Sequence, residues 1–387
     1  MRIAMFTDTY EPQINGVVTS IKVFAQELRK KGHEVHIFCP ECPDYENTDR
    51  FVHTFKSLPL ASYPSYRVGL PFFSPLFEEL KFDVIHVHTP ALVGTAGIIT
   101  GKYYRRPIVG HFHTLLPEYA HYLVNKNLMK FEEIRRLTKM GMWKYLSLFY
   151  NRCDCIVAPS DDIKNKLENH YMKRKIVVTP TPYENKKIRV GNKPSIRKKY
   201  GFDRDDKILL HVGRLTKEKN IMFIIKSLKK LLEKENVKLL IASDGPYKHA
   251  LEEEVRKLSL EKAVIFTGYL SEKELKEIYR LSDAFIFASS TETQALVLLD
   301  AVINGLPIIA LDAPVVSDFI LENGVGLISD KKDFSKITLR ILEEKGLSTR
   351  FEKNKKNVIK KFNADARTQD LIKLYVDLCD QYSGSPL

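Results

Sequence analysis

Residues 1–38 read MRIAMFTDTYEPQINGVVTSIKVFAQELRKKGHEVHIF. An apolar run at 2–7 is followed by a helical stretch at 17–29, where Val18, Ile21, Phe24, Ala25 and Leu28 recur on one face. A second apolar run follows at 34–38. Strands apolar at every position are covered on both faces, and helices between them imply a parallel sheet. The alternation continues with strands at 84–87, 107–112, 156–158 and 176–178. It breaks at Pro180-Thr181-Pro182, and a polar, lysine-rich stretch reaches about Lys199. A second series then follows at 208–212, 238–242, 264–267, 284–288 and 307–310, each strand succeeded by a helix. The expected fold is therefore α/β, with two Rossmann-like, doubly wound domains facing each other across an interdomain cleft and meeting near 180–200. Ligands of such sheets bind beyond the carboxyl ends of the strands.

Bulk properties agree with a two-domain enzyme. The chain has 387 residues, 44% of them hydrophobic, and a net charge of +13. The positive balance favours an anionic contact: nucleic acid, an acidic membrane surface or a phosphorylated ligand. Lysine enrichment is also a thermophile trait. No apolar run reaches the roughly 18 residues a spanning helix needs, and the first residues run directly into a strand. The expected location is cytoplasmic, with a peripheral place on the inner face of the cell membrane left open. Five cysteines are an odd number for a disulfide framework. Cys39 and Cys42 with Cys153 and Cys155 offer a four-sulfur zinc site, but Pro40 and Pro43 interleave the first pair. Free thiols at strand ends are the preferred reading.

Three segments carry chemistry. After the first strand, Asn15-Gly16-Val17 opens a helix, where a glycine lets a diphosphate approach backbone N–H groups; a plain turn glycine is the alternative. After the strand at 208–212 stand Gly213, Arg214, Lys219 and Asn220. Two cations there can clamp a diphosphate and steady the charge growing on a leaving nucleotide, or form a solvated basic loop. In 290–300, STETQALVLLD, Glu292 falls at a helix start and Asp300 about two turns on. Both acids can then face one end of the cleft and accept hydrogen bonds from sugar hydroxyls.

Asn15-Gly16-Val17, Gly110-His111-Phe112-His113-Thr114, Gly213-Arg214 with Lys219, Ser243-Asp244-Gly245-Pro246, and Glu292 with Asp300 occur in an order that resembles the family 4 retaining glycosyltransferases of GT-B fold. The likeness covers nearly the whole chain. Residues 66–71 and 113–119 are most similar to the subset that glucosylates diacylglycerol. The resemblance implies a UDP-linked hexose donor, with glucose as the hexose, and a lipid acceptor such as diacylglycerol or, alternatively, a soluble sugar or polysaccharide. It implies that Gly16 meets the diphosphate through its backbone and that His113 stands beside the donor sugar. Arg214 and Lys219 would clamp the diphosphate, Glu292 would hold the sugar, and Asp300 would bind the ribose. The backbone around Gly268-Tyr269-Leu270 would meet the base. Gln294, Ala295 and Leu296 complete the donor-binding set, and His113, Arg214, Lys219 and Glu292 form the catalytic one. It further implies that a final helix returns to the first domain. The domains are then 1–182 with 367–387, acceptor-side, and 183–366, nucleotide-sugar-binding.

Three departures from the family pattern stand out. The second acid is Asp300 rather than Glu. Ala295 replaces a usual glycine, which strains the backbone if φ is positive and is harmless if it is helical. Pro182 stiffens the Pro180-Thr181-Pro182 connection. Together they raise the alternative of an inactive sugar-nucleotide binder.

No tightly bound metal or other cofactor is expected. Asp203-Arg204-Asp205 is a metal-type D-x-D, but it precedes a strand and reads as solvated surface. His86-Val87-His88 is taken to place its rings on opposite faces of a strand, which argues against a shared ion. No nucleic-acid recognition motif accompanies the charge. Residues 128–152 mix Lys130, Arg135, Arg136, Lys139, Lys144 and Arg152 with Met129, Ile134, Leu137, Met140, Trp143, Leu146, Phe149 and Tyr150. Such a helix suits an anionic bilayer surface or packs its apolar stripe on the sheet. Tyr63, Tyr66, Phe72 and Phe73 are candidates for a second apolar lip.

Overall fold

Runs such as RIAMF and KILLHV are buried at nearly every position, and β-branched and aromatic side chains fill both faces of the sheets they build. The computed structural model describes residues 1–60, 63–71, 76–119, 131–183 and 189–383. Two compact units divide the chain: Met1–Glu184 with Phe362–Leu387, and Asn185–Lys361.

In unit 1 the strands are β1 (Arg2–Phe6), β2 (Glu34–Pro40), β3 (Val52–Phe55), β4 (Ser57–Leu60), β5 (Tyr63–Gly69), β6 (Val84–Val87), β7 (Ile108–His111), β8 (Cys155–Ala158) and β9 (Lys175–Val178). Seven of them form a parallel sheet in the order β3-β2-β1-β6-β7-β8-β9, while β4 and β5 pair antiparallel. The helices are α1 (Gly16–Lys30), α2 (Leu76–Leu80), α3 (Leu92–Tyr103), α4 (Glu132–Tyr150) and α5 (Asp161–Glu168). α1 starts where the Asn15 side chain accepts from Val18 N, and Arg29 and Lys30 suit its carboxyl end.

Unit 2 holds α6 (Lys193–Lys199), β10 (Lys207–Val212), α7 (Ile221–Leu232), β11 (Val237–Ala242), α8 (Lys248–Lys257), β12 (Val264–Gly268), α9 (Glu272–Leu281), β13 (Ala284–Phe287), α10 (Leu296–Ile303), β14 (Ile308–Leu311), α11 (Pro314–Asn323), β15 (Gly326–Ser329), α12 (Phe334–Glu343) and α13 (Lys345–Lys361). Its six parallel strands run β12-β11-β10-β13-β14-β15. The last helix, α14 (Ala364–Ser383), belongs to unit 1, where Leu371, Leu374, Tyr375 and Leu378 join Ile21, Phe24 and Leu28 of α1 in one core.

Strand order reverses between β1 and β6 in unit 1 and between β10 and β13 in unit 2. At each reversal neighbouring connections leave to opposite faces of the sheet, so the strand ends there open into a crevice. Four strands, β3, β4, β5 and β15, were not among those expected from the apolar runs.

The cysteine pairs lie far apart in this topology. Cys39 is on β2 and Cys155 on β8, four strand spacings away, or about 19 Å. They cannot share an ion. Asp203, Arg204 and Asp205 are exposed, while the neighbouring Asp206 is buried and accepts from Asp203 N at 2.8 Å and Asn236 Nδ2 at 2.5 Å.

Candidate functional site

The crevice of unit 2 is built from four loops. After β10 the chain passes Gly213 and Arg214 into a 3₁₀ turn at Lys217–Lys219, and Asn220, in left-handed conformation, starts α7. The loop after β11 clamps this segment: Leu215 N donates to Asp244 O at 3.0 Å and Tyr247 N to Leu215 O at 2.9 Å. Gly245 is needed for that approach, since a Cβ there would stand 2.5 Å from Leu215 O. Ser243, at φ +118°, is held by a bond from its N–H to Gly268 O at the end of β12. Such backbone costs about 1–3 kcal/mol and persists where surrounding structure imposes it.

The loop after β13 closes the set. Ser290 N donates to Glu218 O at 3.2 Å, which ties it to the 3₁₀ turn. Lys219 Nζ then donates to Glu292 Oε1 at 2.6 Å, with side chains only 18% and 12% exposed. Two of the expected catalytic residues, 73 positions apart, thus meet directly. Arg214 lies in the same loop, half-buried. Burial lowers its guanidinium from the usual range, and Tyr269 and Glu218 counteract this. Tyr269 is 67% exposed beside Gly268, which has φ +69°.

Gln294 and Ala295 are buried, and Leu296 is the first residue of α10. Ala295 has φ +56° and ψ +58°, so the strained alternative is the one realised. Ala295, the residue before α10, has no side chain that could cap it, and the first N–H groups and dipole of a helix favour an anion. Asp300 lies one helical turn and more along α10, where burial pushes its carboxyl up to about 7. Beneath the loop, His211 is fully buried; its Nδ1 faces Ile286 O at 3.1 Å, and burial lowers it to about 4.

In unit 1, Gly16 is exposed at the start of α1. Asn15 Nδ2 donates to Thr9 Oγ1 at 2.9 Å, fixing the turn before it. Asp8, which sequence reasoning passed over, governs the crevice at β1 and β6. Its carboxylate accepts from Thr89 Oγ1 at 2.6 Å, Val93 N at 2.8 Å and Gly94 N at 3.2 Å, capping α3 from another strand. Burial raises the Asp8 carboxyl and these three donors pull it back. A Cβ on Gly94 would meet Thr89 O at 1.8 Å.

His113 lies just past β7, its Nε2 3.0 Å from His88 Nδ1. Burial depresses it to about 3, so it is neutral at physiological pH. The expectation that His86 and His88 face opposite ways is wrong. Residues two apart share a face of a strand, and their rings lie 4.1 Å apart between centroids. The argument against a shared ion falls with it.

On α4 the carboxyl half packs inward through Leu146, Phe149 and Tyr150. Leu137, Met140 and Leu148 are 60%, 58% and 53% exposed, with Phe131 and Tyr145 also exposed. Arg135 pairs with Glu132 at 3.9 Å, Lys139 with Glu118 at 2.7 Å, and Trp143 stacks on His170. Leu128, Met129, Lys130, Phe72 and Phe73 lie outside the described residues, as does the side chain of Tyr63. Among the described residues no helix is long and apolar enough to cross a membrane.

Comparison with known proteins gives this geometry a family. Residues 14–185 match the profile of Glycosyltransferase Family 4, and residues 192–358 match that of Glycosyl transferases group 1. The chain is 32% identical over 339 residues to an alpha-monoglucosyldiacylglycerol synthase of Streptococcus pneumoniae, covering 85% of this chain and 75% of that protein. It is 26% identical to an alpha-monoglucosyldiacylglycerol synthase of Acholeplasma laidlawii over 98% of each. Among solved structures, Anabaena HepE in complex with UDP and glucose superposes with a TM-score of 0.75 at 16% identity, covering 98% of this chain and 100% of that one. This chain belongs to the family 4, group 1 glycosyltransferases of GT-B fold and is a hexosyltransferase.

Proposed function

We propose that this glycosyltransferase moves glucose from UDP-glucose to a hydroxyl of diacylglycerol at an anionic membrane surface, retaining the anomeric configuration, with no metal in the transfer step. The observation that carries the donor side is the Lys219–Glu292 pair beside Arg214 at the reversal of strand order in unit 2. Arg214 and Lys219 bind the diphosphate and stabilise the charge that grows as the glycosidic bond breaks; such stabilisation acts on the transition state more than on the bound donor. Glu292 shares Lys219 with the diphosphate and accepts from sugar hydroxyls. Asp300 takes the ribose hydroxyls, and Gly16 offers its backbone to the diphosphate. The segment Gly268-Tyr269-Leu270 meets the base. Neutral His113 is a hydrogen-bond partner for a sugar hydroxyl. The leaving diphosphate accepts the proton of the attacking hydroxyl on the same face of the sugar, which preserves configuration.

The acceptor rests on two supports. The relatives named above are called alpha-monoglucosyldiacylglycerol synthases, and α4 exposes apolar residues between cations. Each Lys or Arg near an anionic leaflet adds about 1 kcal/mol of attraction, and inserted apolar groups add a salt-insensitive part. The test offers radiolabelled UDP-glucose with diacylglycerol in anionic vesicles, and GDP-mannose and soluble sugars in parallel. Label extracted into the lipid phase supports the reading. Label found only in a soluble saccharide, at full rate without vesicles, overturns the lipid acceptor and leaves the soluble one. Changing Arg135, Arg136 and Lys139 together to Glu is expected to abolish vesicle co-sedimentation while UDP binding stays unchanged.

A further inference from the structure

β6 and β7 are neighbours in register, Ile85 opposite Ile108 and Val87 opposite Gly110. β6 and the residue after it carry His86 and His88, while β7 and its end carry His111 and His113, so all four imidazoles rise from one face of the sheet. Ring centroids lie 4.1 Å apart for His86 and His88, 5.3 Å for His86 and His111, and 5.4 Å for His88 and His111. These three residues are fully buried.

Their hydrogen bonding is incomplete in one place. His86 Nδ1 meets Tyr375 Oη of α14 at 2.6 Å and His88 Nδ1 meets His113 Nε2 at 3.0 Å. Among the described residues, His86 Nε2, His88 Nε2 and both ring nitrogens of His111 have no hydrogen-bond partner. A buried polar atom left unpaired costs about 1–3 kcal/mol, and interiors rarely tolerate several together. One nitrogen from each ring lies within 4.8 Å of the other two.

We infer that His86, His88 and His111 form a binding site for a divalent transition cation of the zinc class, which braces the interior of unit 1. Imidazole donors suit zinc, cobalt, nickel and copper and not magnesium or calcium. Two nitrogens about 2.0 Å from a tetrahedral zinc are about 3.3 Å apart. Rotating the three side chains inward closes the present separations, and water completes the tetrahedron. The bonds already in place act as the outer shell such sites use. His86 donates through Nδ1–H to Tyr375, and His88 donates through Nδ1–H to His113 Nε2. A cation on His88 therefore also fixes the proton of His113 on Nδ1.

The test uses the full chain without a histidine tag, treated with EDTA and then dialysed. Zinc uptake by elemental analysis is expected at about one ion per chain, with a rise in Tm. Cobalt(II) is expected to give the visible absorption of a tetrahedral nitrogen site. In His111→Phe, which keeps the ring shape and removes both nitrogens, uptake and the cobalt band are lost while UDP-glucose affinity is unchanged. Tyr375→Phe keeps the stoichiometry and weakens zinc affinity about 10-fold or more. Should His111→Phe not fold, the wild-type cobalt spectrum and zinc-dependent Tm decide alone. No cobalt band and no zinc effect on Tm in the wild type, or equal uptake by a folded His111→Phe, overturns the site.

Discussion

The two units share one sheet plan and use its reversal point in opposite ways. In unit 1 the helix that starts there, α3, receives an internal anion: Asp8 occupies Val93 N, Gly94 N and Thr89 Oγ1. In unit 2 the equivalent helix, α10, is preceded by Ala295, whose side chain cannot cap it, and Arg214 and Lys219 stand in the loop after β10. Glu292, the acid just before that helix start, is turned to Lys219 instead. A doubly wound sheet thus offers an anion site at every such reversal. In unit 1 the chain itself has filled it with Asp8.

The largest expected effect strikes the crevice of unit 2. Lys219→Ala or Arg214→Ala should lower kcat about 10²- to 10³-fold per folded molecule, as removal of one charge-stabilising donor does, and Lys219→Ala should also lower Tm because it leaves Glu292 unpaired; steady-state kinetics on UDP-glucose reads the first effect. An intact kcat would erase the proposed contrast. Asp8→Ala tests the filled crevice. It strips three donors of their acceptor and should destabilise unit 1 by about 2 kcal/mol, read by urea unfolding, while UDP affinity measured by calorimetry holds.

Asp300 sharpens the contrast through pH. Its carboxyl is raised from 3.8 to about 7 by burial. The stability it contributes is therefore fully present below about pH 4 and is lost as pH rises through 7. Tm of the wild type should fall relative to Asp300→Asn across that window. The ionised carboxylate is the better acceptor for ribose hydroxyls, so KM for the donor should drop several-fold from pH 6 to 8 and stay flat in Asp300→Asn. The smallest effect is at Ala295. Glycine there relieves the left-handed backbone, partly offset by the freer unfolded chain, and Ala295→Gly should stabilise by about 0.5 kcal/mol in thermal unfolding.

The central strands were legible because burial on both faces leaves no alternation to misread. Four others were not: β3 is half-exposed, β4 and β5 carry Pro59 and Pro64, and β15 is a short run, Gly326–Ser329, at the sheet margin. At the site, residue types and their loops were readable, but the Lys219–Glu292 contact depends on β10 lying beside β13, which no local pattern encodes. Asp8 carried no signal of its own, since its partners arrive from residues 89–94. The histidine pair was lost through its period: spacing of two on a strand means the same face.

α14 bears on the order in which the molecule can be finished. The ribosome releases residues 1–184 first, yet the core of that unit also needs Leu371, Leu374, Tyr375 and Leu378. Unit 2, contiguous from Asn185 to Lys361, is complete before them. The later-made half can therefore reach its native state on the ribosome while the earlier-made half waits with the apolar side of α1 uncovered. Synthesis rate and chaperone supply while residues 362–387 are being made therefore bear on how unit 1 closes.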